Sequence, residues 1–320
     1  MSPAICLLLY AGAVCVAAPR LLPRLTSAGA APRLAVAVWL IVLISVLAAW
    51  IAAAMLLVSW IVSNWNRPGV ALGACFTALR SAAVGQHGPA LQLGLALATM
   101  VVAAFVTVIA ARMGRMLLRA RARARRHAIS ARIIGRRITG VDAMVVDTPE
   151  KAAYCLGGRR GTIVITSAAL AALQQPLHLD AVLCHERAHL SGRHHMVLAL
   201  TRALASSLPG IRIFTVAEQE VSRLLEMCAD DTAARAHGTA TMLGAILTLA
   251  GAGPIPAGAL GTSTVGLSAR VTRLAAPPRR RQQTWTRLLL SAFAAVLVAA
   301  PFLAAWAAAR GLIACGPFLG

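Results

Sequence analysis

The chain has 320 residues, of which 59% are hydrophobic and 13% are charged, and its mean hydropathy is +0.74. This composition excludes an ordinary soluble protein and directs attention to membrane-spanning helices. The net charge is +21, but much of the excess arginine lies beside apolar segments, where membrane topology and anionic lipid account for it, so direct nucleic-acid binding is not predicted.

Four apolar segments are long enough to cross a bilayer as helices, because a helix rises about 1.5 Å per residue and the hydrocarbon core is roughly 30 Å thick. We predict these transmembrane helices at about 1–19, 34–62, 89–111 and 288–309. The first segment lacks the basic residues that precede the apolar core of a cleavable signal peptide, so we interpret it as a retained helix.

The distribution of arginine predicts the orientation in the membrane. The short first loop holds three arginines, the longer second loop holds two, and residues 112–137 hold ten with no acidic residue. Positively charged loops stay in the cytoplasm, so we predict a multi-pass plasma-membrane protein in which the first loop and residues 112–287 are cytoplasmic and both termini are external. Cys75 and Cys315 would then be external, and the sequence leaves open whether they pair.

The acidic residues separate a soluble domain from the membrane regions, since all ten lie between Asp142 and Asp231. The predicted organisation is an N-terminal membrane region with three transmembrane helices (1–111), a basic juxtamembrane segment (112–137), a cytoplasmic domain (138–284), and the fourth transmembrane helix with a short external tail (285–320). Residues 251–284, rich in Gly, Pro and Arg, are predicted to be a linker to the last span.

Within the cytoplasmic domain the residue pattern predicts a small sheet followed by helices. Alternation and β-branched residues indicate strands at 141–147, 152–156 and 162–166, the last two forming a hairpin across a glycine-containing turn. Helical spacing indicates a short helix capped by Ser167 that runs to 173, a helix from 179 to about 206, and a helix from about 216 to 236 that stops at Gly238. The predicted fold is a mostly α membrane protein with four transmembrane helices and a cytoplasmic α+β domain carrying a small β-sheet.

The sequence HERAH at residues 185–189 carries the chemistry. His185 and His189 are four residues apart, so on a helix their side chains are separated by only about 40° and can reach one metal ion. Two imidazoles suit Zn²⁺, which keeps one position open for water in catalytic sites. Glu186 would stand beside that position and accept a proton from the water, which makes it the predicted catalytic residue.

Two residues compete for the role of third zinc ligand. HERAHLSGRHH also fits HExxHxxGxxH, in which Gly192 bends the chain and His195 completes a three-histidine site. The rival is Glu226 on the downstream helix, among apolar neighbours in LLEMCA. If the first helix continues past Gly192, His195 faces about 240° away from His189. We expect continuation and therefore favour Glu226, with His195 as the alternative.

Asp230 follows Glu226 by one helical turn and shares its face, so its carboxylate could accept the outer N–H of a ligand histidine and orient the ring. The group that stabilises the oxyanion is open between Tyr154, His194 and Arg235, which no spacing separates.

These motifs resemble the BlaR/MecR family of integral-membrane zinc peptidases, which are gluzincins, and more distantly the HtpX-type membrane proteases. The resemblance covers about residues 141–236 through AAYCLGGRRGTIVITSAAL, LDAVLCHERAHLSGRHH and LLEMCADDTAA. It implies that His185, His189 and Glu226 bind zinc, that Glu186 is the base and that Asp230 orients a ligand. The family's sensor members carry a penicillin-binding domain after the last span. This chain ends about eleven residues after that span, so direct β-lactam sensing is not predicted.

The predicted function is zinc-dependent hydrolysis of peptide bonds in a protein substrate. The resemblance favours a cytosolic regulatory target such as a transcriptional repressor in a signalling pathway, with membrane-protein quality control of the HtpX type as the alternative. A non-catalytic zinc-containing receptor or scaffold is a further alternative, which Glu186 opposes because a structural site needs no base. An extended substrate is expected to add to the strand edge at Ala152 to Cys155.

Overall fold

The structure is a computed structural model that describes residues 2–63, 89–138, 142–157, 161–250, 260–261 and 266–309. The chain divides into two compact units. The first comprises the described residues of 1–18, 40–112 and 292–320, and the second comprises those of 19–39 and 113–291. Cys75 and Cys315, which we predict to be external, lie outside the described residues.

The described residues form ten helices: α1 (Ser2–Thr26), α2 (Pro32–Ser63), α3 (Pro89–Ile134), α4 (Ser167–Ala172), α5 (Pro176–Ser191), α6 (His194–Ser207), α7 (Arg212–His237), α8 (Thr239–Leu249), α9 (Leu267–Ala275) and α10 (Arg280–Ala309). They also form five strands: β1 (Arg136–Arg137), β2 (Met144–Val146), β3 (Ala153–Leu156), β4 (Thr162–Thr166) and β5 (Leu260–Gly261). The protein is therefore mostly helical with a small mixed sheet, as predicted.

Three helices are long and apolar enough to cross a membrane, at Ala4–Thr26, Pro32–Ser59 and Arg280–Leu303. They correspond to the first, second and fourth predicted spans, and they fit a membrane protein. The predicted third span lies within α3, which continues through the basic segment to Ile134 without a break. The count of four spans, their sidedness and the domain boundaries stay predictions.

The sheet has the strand order β1-β2-β4-β3-β5. The predicted hairpin is confirmed, because β3 and β4 pair antiparallel with Cys155 opposite Ile163. β2 adds to β4 in parallel. On the other side β3 pairs antiparallel with β5, with Tyr154 opposite Gly261 and Cys155 opposite Leu260. The edge that we expected a substrate to use is thus already paired at those two residues.

The helices of the second unit differ from the predicted ones at three places. The cap of α4 is Thr166 and not Ser167, because the Thr166 hydroxyl accepts a hydrogen bond from the Ala169 N–H. The helix expected from 179 to 206 ends at Ser191 and a new helix begins at His194. The expected linker contains α9. The helix α7 ends at Gly238, as predicted.

An apolar core formed by α5, α7, α8 and α9 supports the helix that carries the HERAH motif. Its fully or almost fully buried members are Ala181, Ala233, Met242, Ile246 and Leu274, and Cys184 packs against them. A separate cluster under the sheet joins α3 to the strands through Ala131, Met144, Leu156 and Val164. Removing such apolar surface from water stabilises the fold by about 25 cal/mol per Å². These buried contacts therefore stabilise the helix that carries the HERAH motif.

Candidate metal centre

Helices α5 and α7 bring three potential metal ligands together. His185, His189 and Glu226 are all buried, and one ligand atom from each lies within 4.8 Å of the other two. The two histidines share a face of α5 because they are one helical turn apart. Glu226 comes from α7, which packs along α5. Sequence spacing alone relates the two histidines, whereas tertiary packing brings in the glutamate.

The separations between the donor atoms fit a tetrahedral ion. His185 Nε2 lies 3.1 Å from His189 Nε2 and 3.6 Å from Glu226 Oε2, and His189 Nε2 lies 3.6 Å from Glu226 Oε1. Two ligands bound at about 2.0–2.1 Å to a tetrahedral Zn²⁺ are about 3.3 Å apart. Two imidazoles and a carboxylate are also a donor set that zinc accepts in hydrolytic enzymes.

The charges around this position favour a divalent cation. Three buried carboxylates surround it, from Glu186, Glu226 and Asp230, and one buried guanidinium, from Arg270, accompanies them. With neutral imidazoles the formal charge of the cluster is −2. Since uncompensated charge inside a protein is strongly unfavourable, an ion of charge +2 would balance the site.

Asp230 lies where the sequence predicted a residue that orients a histidine. Its Oδ1 is 3.0 Å from His185 Nδ1, on the side of the ring away from the other ligand atoms. Burial alone would lower the pKa of His185, but the nearby carboxylates of Asp230 and Glu226 outweigh it and raise the pKa to about 9. The carboxylate therefore interacts strongly with a proton on this ring.

His189 meets a different partner, the imidazole of His194. The two Nδ1 atoms are 2.9 Å apart, and the rings are nearly perpendicular. Burial lowers the pKa of His194 to about 4, with a further contribution from the charge of His185. His194 is thus neutral at physiological pH, and a neutral ring can accept a hydrogen bond from the Nδ1–H that His189 would have while bound to metal through Nε2.

The end of α5 explains how His194 reaches this position. Gly192 terminates the helix, and Arg193 adopts a left-handed conformation with φ 50°, which is uncommon for a residue with a side chain. The ring of His194 folds back over Gly192, where an added Cβ would approach His194 Nε2 to 2.4 Å. Our expectation that one helix continues past Gly192 was wrong, because this glycine permits the close approach.

Arg270 contributes a positive charge that was not predicted from the sequence. Its side chain extends from α9 and is 0% exposed. Its Nε lies 2.7 Å from Asp230 Oδ2, its Nη2 lies 2.7 Å from Asp230 Oδ1, and its Nη1 lies 3.0 Å from Glu226 Oε2. Burial would raise the pKa of Asp230, but the guanidinium outweighs it and holds this pKa well below its usual range. No sequence signal links Arg270 to the site, because it lies in a segment that resembles a linker.

Glu186 is fully buried, and the thiol of Cys155 lies near its carboxylate. Burial, followed by the negative charge of Glu186, raises the pKa of Cys155 far above its usual range. The thiol is therefore un-ionised. From the sequence, Cys155 is assigned to a strand and to the edge expected to take substrate, with no role toward Glu186.

The remaining candidates from the sequence lie away from the three ligand atoms. His195 is half-buried and packs against Gly157, and it is absent from the group of potential ligands among the described residues. Tyr154 packs with the apolar cluster under the sheet. Arg235 is exposed and donates to Thr232. Of the three oxyanion candidates, His194 alone contacts a potential ligand.

Residues 118–252 match the family model described as Peptidase family M48. The chain therefore contains a Peptidase M48 domain, which supports a metallopeptidase and covers His185, His189 and Glu226. No curated protein and no solved structure matches the chain.

Proposed function

We propose that this protein is a zinc-dependent endopeptidase of the membrane, of the BlaR/MecR type, with its active site on the cytoplasmic side. Its substrate is a cytosolic regulatory protein such as a transcriptional repressor. The observation that carries the proposal is the buried group of His185, His189 and Glu226 next to Glu186, within a Peptidase M48 domain.

In this proposal His185, His189 and Glu226 hold Zn²⁺. Bound zinc supplies Lewis-acid polarisation of the scissile carbonyl and lowers the pKa of water in the site. Glu186 accepts a proton from the attacking water and delivers it to the departing amine, which is general base and then general acid catalysis. Its burial strengthens its electrostatic interactions, because the effective dielectric constant inside a protein is lower than in water.

The outer nitrogens of the ligand histidines are held from two sides. Asp230 orients His185 and His194 orients His189, so both rings are restrained before metal binds. The un-ionised thiol of Cys155 lies near the Glu186 carboxylate and adds no competing charge. The contacts of Asp230 and His194 restrain both histidines, which a catalytic centre needs in order to keep its geometry.

We propose anionic membrane lipid as a further partner, contacted by the basic part of α3. Five arginines of this helix lie within an arc of about 80° when successive residues are placed 100° apart, and all five are exposed: Arg112, Arg115, Arg119, Arg123 and Arg126. Phosphate headgroups would neutralise this stripe at the cytoplasmic leaflet.

The decisive test compares cells that carry the wild type with cells that carry Glu186→Gln. The substitution removes the base and keeps the size of the side chain, so we expect zinc to stay bound and cleavage to stop. A proteome comparison that finds one dominant soluble target supports the signalling role. Many misfolded membrane fragments would instead support quality control, and identical proteolysis with zinc retained would reject an enzyme.

The zinc ligands are tested by metal content. We expect Glu226→Ala to lose stoichiometric zinc after purification, because it removes one of three donors, and His195→Ala to keep it. Loss of zinc in His195→Ala alone would overturn the assignment of Glu226.

A further inference from the structure

The guanidinium of Arg270 contacts two carboxylates of the metal centre, those of Asp230 and Glu226. It donates two parallel hydrogen bonds to Asp230, both at 2.7 Å, and its Nη1 forms an ion pair with Glu226 Oε2 at 3.0 Å. Such a planar fork fixes a carboxylate in direction as well as in position. Arg270 lies outside the matched residues 118–252, so the family match assigns it no role.

The fork determines which oxygen atoms face the ligand histidines. Asp230 Oδ1 is shared between Arg270 Nη2 and His185 Nδ1, at 2.7 and 3.0 Å. Contact with Arg270 Nη1 also restrains Glu226 Oε2, while Glu226 Oε1 stays 3.6 Å from His189 Nε2. One side chain therefore restrains both the residue that orients His185 and the third potential ligand.

We propose that Arg270 is a positioning residue for metal binding, and that it increases the affinity for zinc although it is a cation. This inference rests on the proposed function. Coulomb repulsion between a guanidinium and a divalent cation opposes metal binding. The two effects have opposite signs, so the direction in which affinity changes on removal of Arg270 decides between them.

The chain provides a matched control on the same helix. Arg273, one turn after Arg270, pairs with Asp231 at 2.6 Å, next to Asp230 on α7. It also donates to the carbonyl of Gly29. The two pairs run side by side between α9 and α7, but the second does not contact the potential ligands. A general effect of loosening α9 would appear in both sets of variants, whereas positioning requires Arg270.

The experiment measures binding of Zn²⁺ and Co²⁺ to the full chain in detergent micelles, by competition with a chelator. We expect Arg270→Gln to lower zinc affinity by roughly 10- to 100-fold, the range found when groups that orient metal ligands are removed. Arg270→Lys should recover part of the loss, since it keeps the charge without the fork. Arg273→Gln should leave the affinity unchanged, and the visible spectrum of bound Co²⁺ should change only in the Arg270 variants.

The outcomes separate this inference from the proposed function. If the wild type binds no stoichiometric zinc, the proposed function fails. If the wild type binds zinc and Arg270→Gln binds it equally or more tightly, only the positioning role fails. Should Arg270→Gln not fold, Arg270→Lys decides: an affinity and Co²⁺ spectrum equal to those of the wild type would overturn the inference, because charge without the fork would then suffice.

Discussion

The two histidines of the proposed zinc site stand one turn apart on the same helix, yet they meet different surroundings. His185 faces the carboxylate of Asp230, which is itself bound by Arg270, and its pKa is raised to about 9 against the effect of burial. His189 faces the neutral ring of His194, and burial together with the charge of His185 holds its pKa well below the usual range. An ionic network thus holds one ligand and a neutral contact holds the other.

This difference predicts unequal consequences when each partner is removed. The Asp230 side is fully buried, so a change there removes part of the compensation of a buried charge. The His194 side is half-buried and neutral, so a change there mainly releases a ring. The contrast also predicts that metal binding releases a proton from one histidine and not from the other.

The largest effect is expected for Asp230→Asn. The substitution removes the carboxylate that accepts two hydrogen bonds from the buried Arg270, and breaking a buried ion pair on one side destabilises proteins by about 3–5 kcal/mol. Zinc affinity should fall by about 100-fold, since His185 loses its orienting group as well. Thermal unfolding of the metal-free full chain and chelator competition measure the two effects.

A matched control for Asp230→Asn is Asp231→Asn, which breaks the neighbouring, partly exposed pair with Arg273. We expect it to destabilise the protein less than Asp230→Asn does, because the side chains of this pair keep some contact with water. Equal destabilisation by both variants would contradict a special role for the buried network.

Metal binding should release one proton, from His185 and not from His189. Metal-free His185 keeps its proton up to about pH 9, while the lowered pKa of His189 leaves that ring already neutral. Zinc must displace the proton, so apparent affinity rises about tenfold per pH unit, or about 100-fold from pH 7 to pH 9, and then levels off. Titration of zinc at several pH values measures this slope.

Asp230→Asn sharpens the same measurement. It removes the carboxylate that most raises the pKa of His185, so the slope between pH 7 and pH 9 should flatten. If the pH dependence of zinc affinity showed that the wild type releases two protons on binding zinc, or none, the two histidines would not differ in this way.

A smaller effect is expected for His194→Ala. His189 then loses the acceptor for its Nδ1–H, and zinc affinity should fall by about tenfold, with little change in thermal stability because His194 is half-buried and uncharged. Isothermal titration with zinc and a thermal melt check both statements. His195→Ala is the control, since the ring of His195 packs against Gly157 and not against His189. If His194→Ala lowered zinc affinity as much as Asp230→Asn does, the surroundings of His185 and His189 would not differ in their effect on metal binding.

Local signals in the sequence were sufficient for part of this arrangement. The hairpin followed from alternating residues around a glycine-containing turn, and the shared face of Glu226 and Asp230 followed from helical periodicity. Arg270 could not be found in this way, because its role depends on contacts with residues forty or more positions earlier. Its helix lies in a stretch whose Gly and Pro content resembles a linker.

The turn between α5 and α6 shows a second limit of sequence patterns. Apolar spacing continues on both sides of Gly192, so periodicity predicts one helix, but a single left-handed residue at Arg193 starts a new axis. Helix continuation was our reason for setting His195 aside. The helix does not continue, and His195 lies away from the other potential ligands because of where the turn directs it.

Arg193→Gly is expected to have the smallest effect, and it tests this turn. A left-handed conformation costs a residue with a side chain about 1–2 kcal/mol, and glycine avoids that cost but loses roughly 0.5–1 kcal/mol through its more flexible unfolded state. The protein should therefore gain about 0.5 kcal/mol of stability, with unchanged zinc affinity because His194 keeps its place against His189. Arg193→Val is the contrasting variant, since a β-branched residue tolerates φ 50° poorly. It should lower both melting temperature and zinc affinity, whereas weaker zinc binding in Arg193→Gly would mean that the arginine side chain, and not the turn, supports the His189 side.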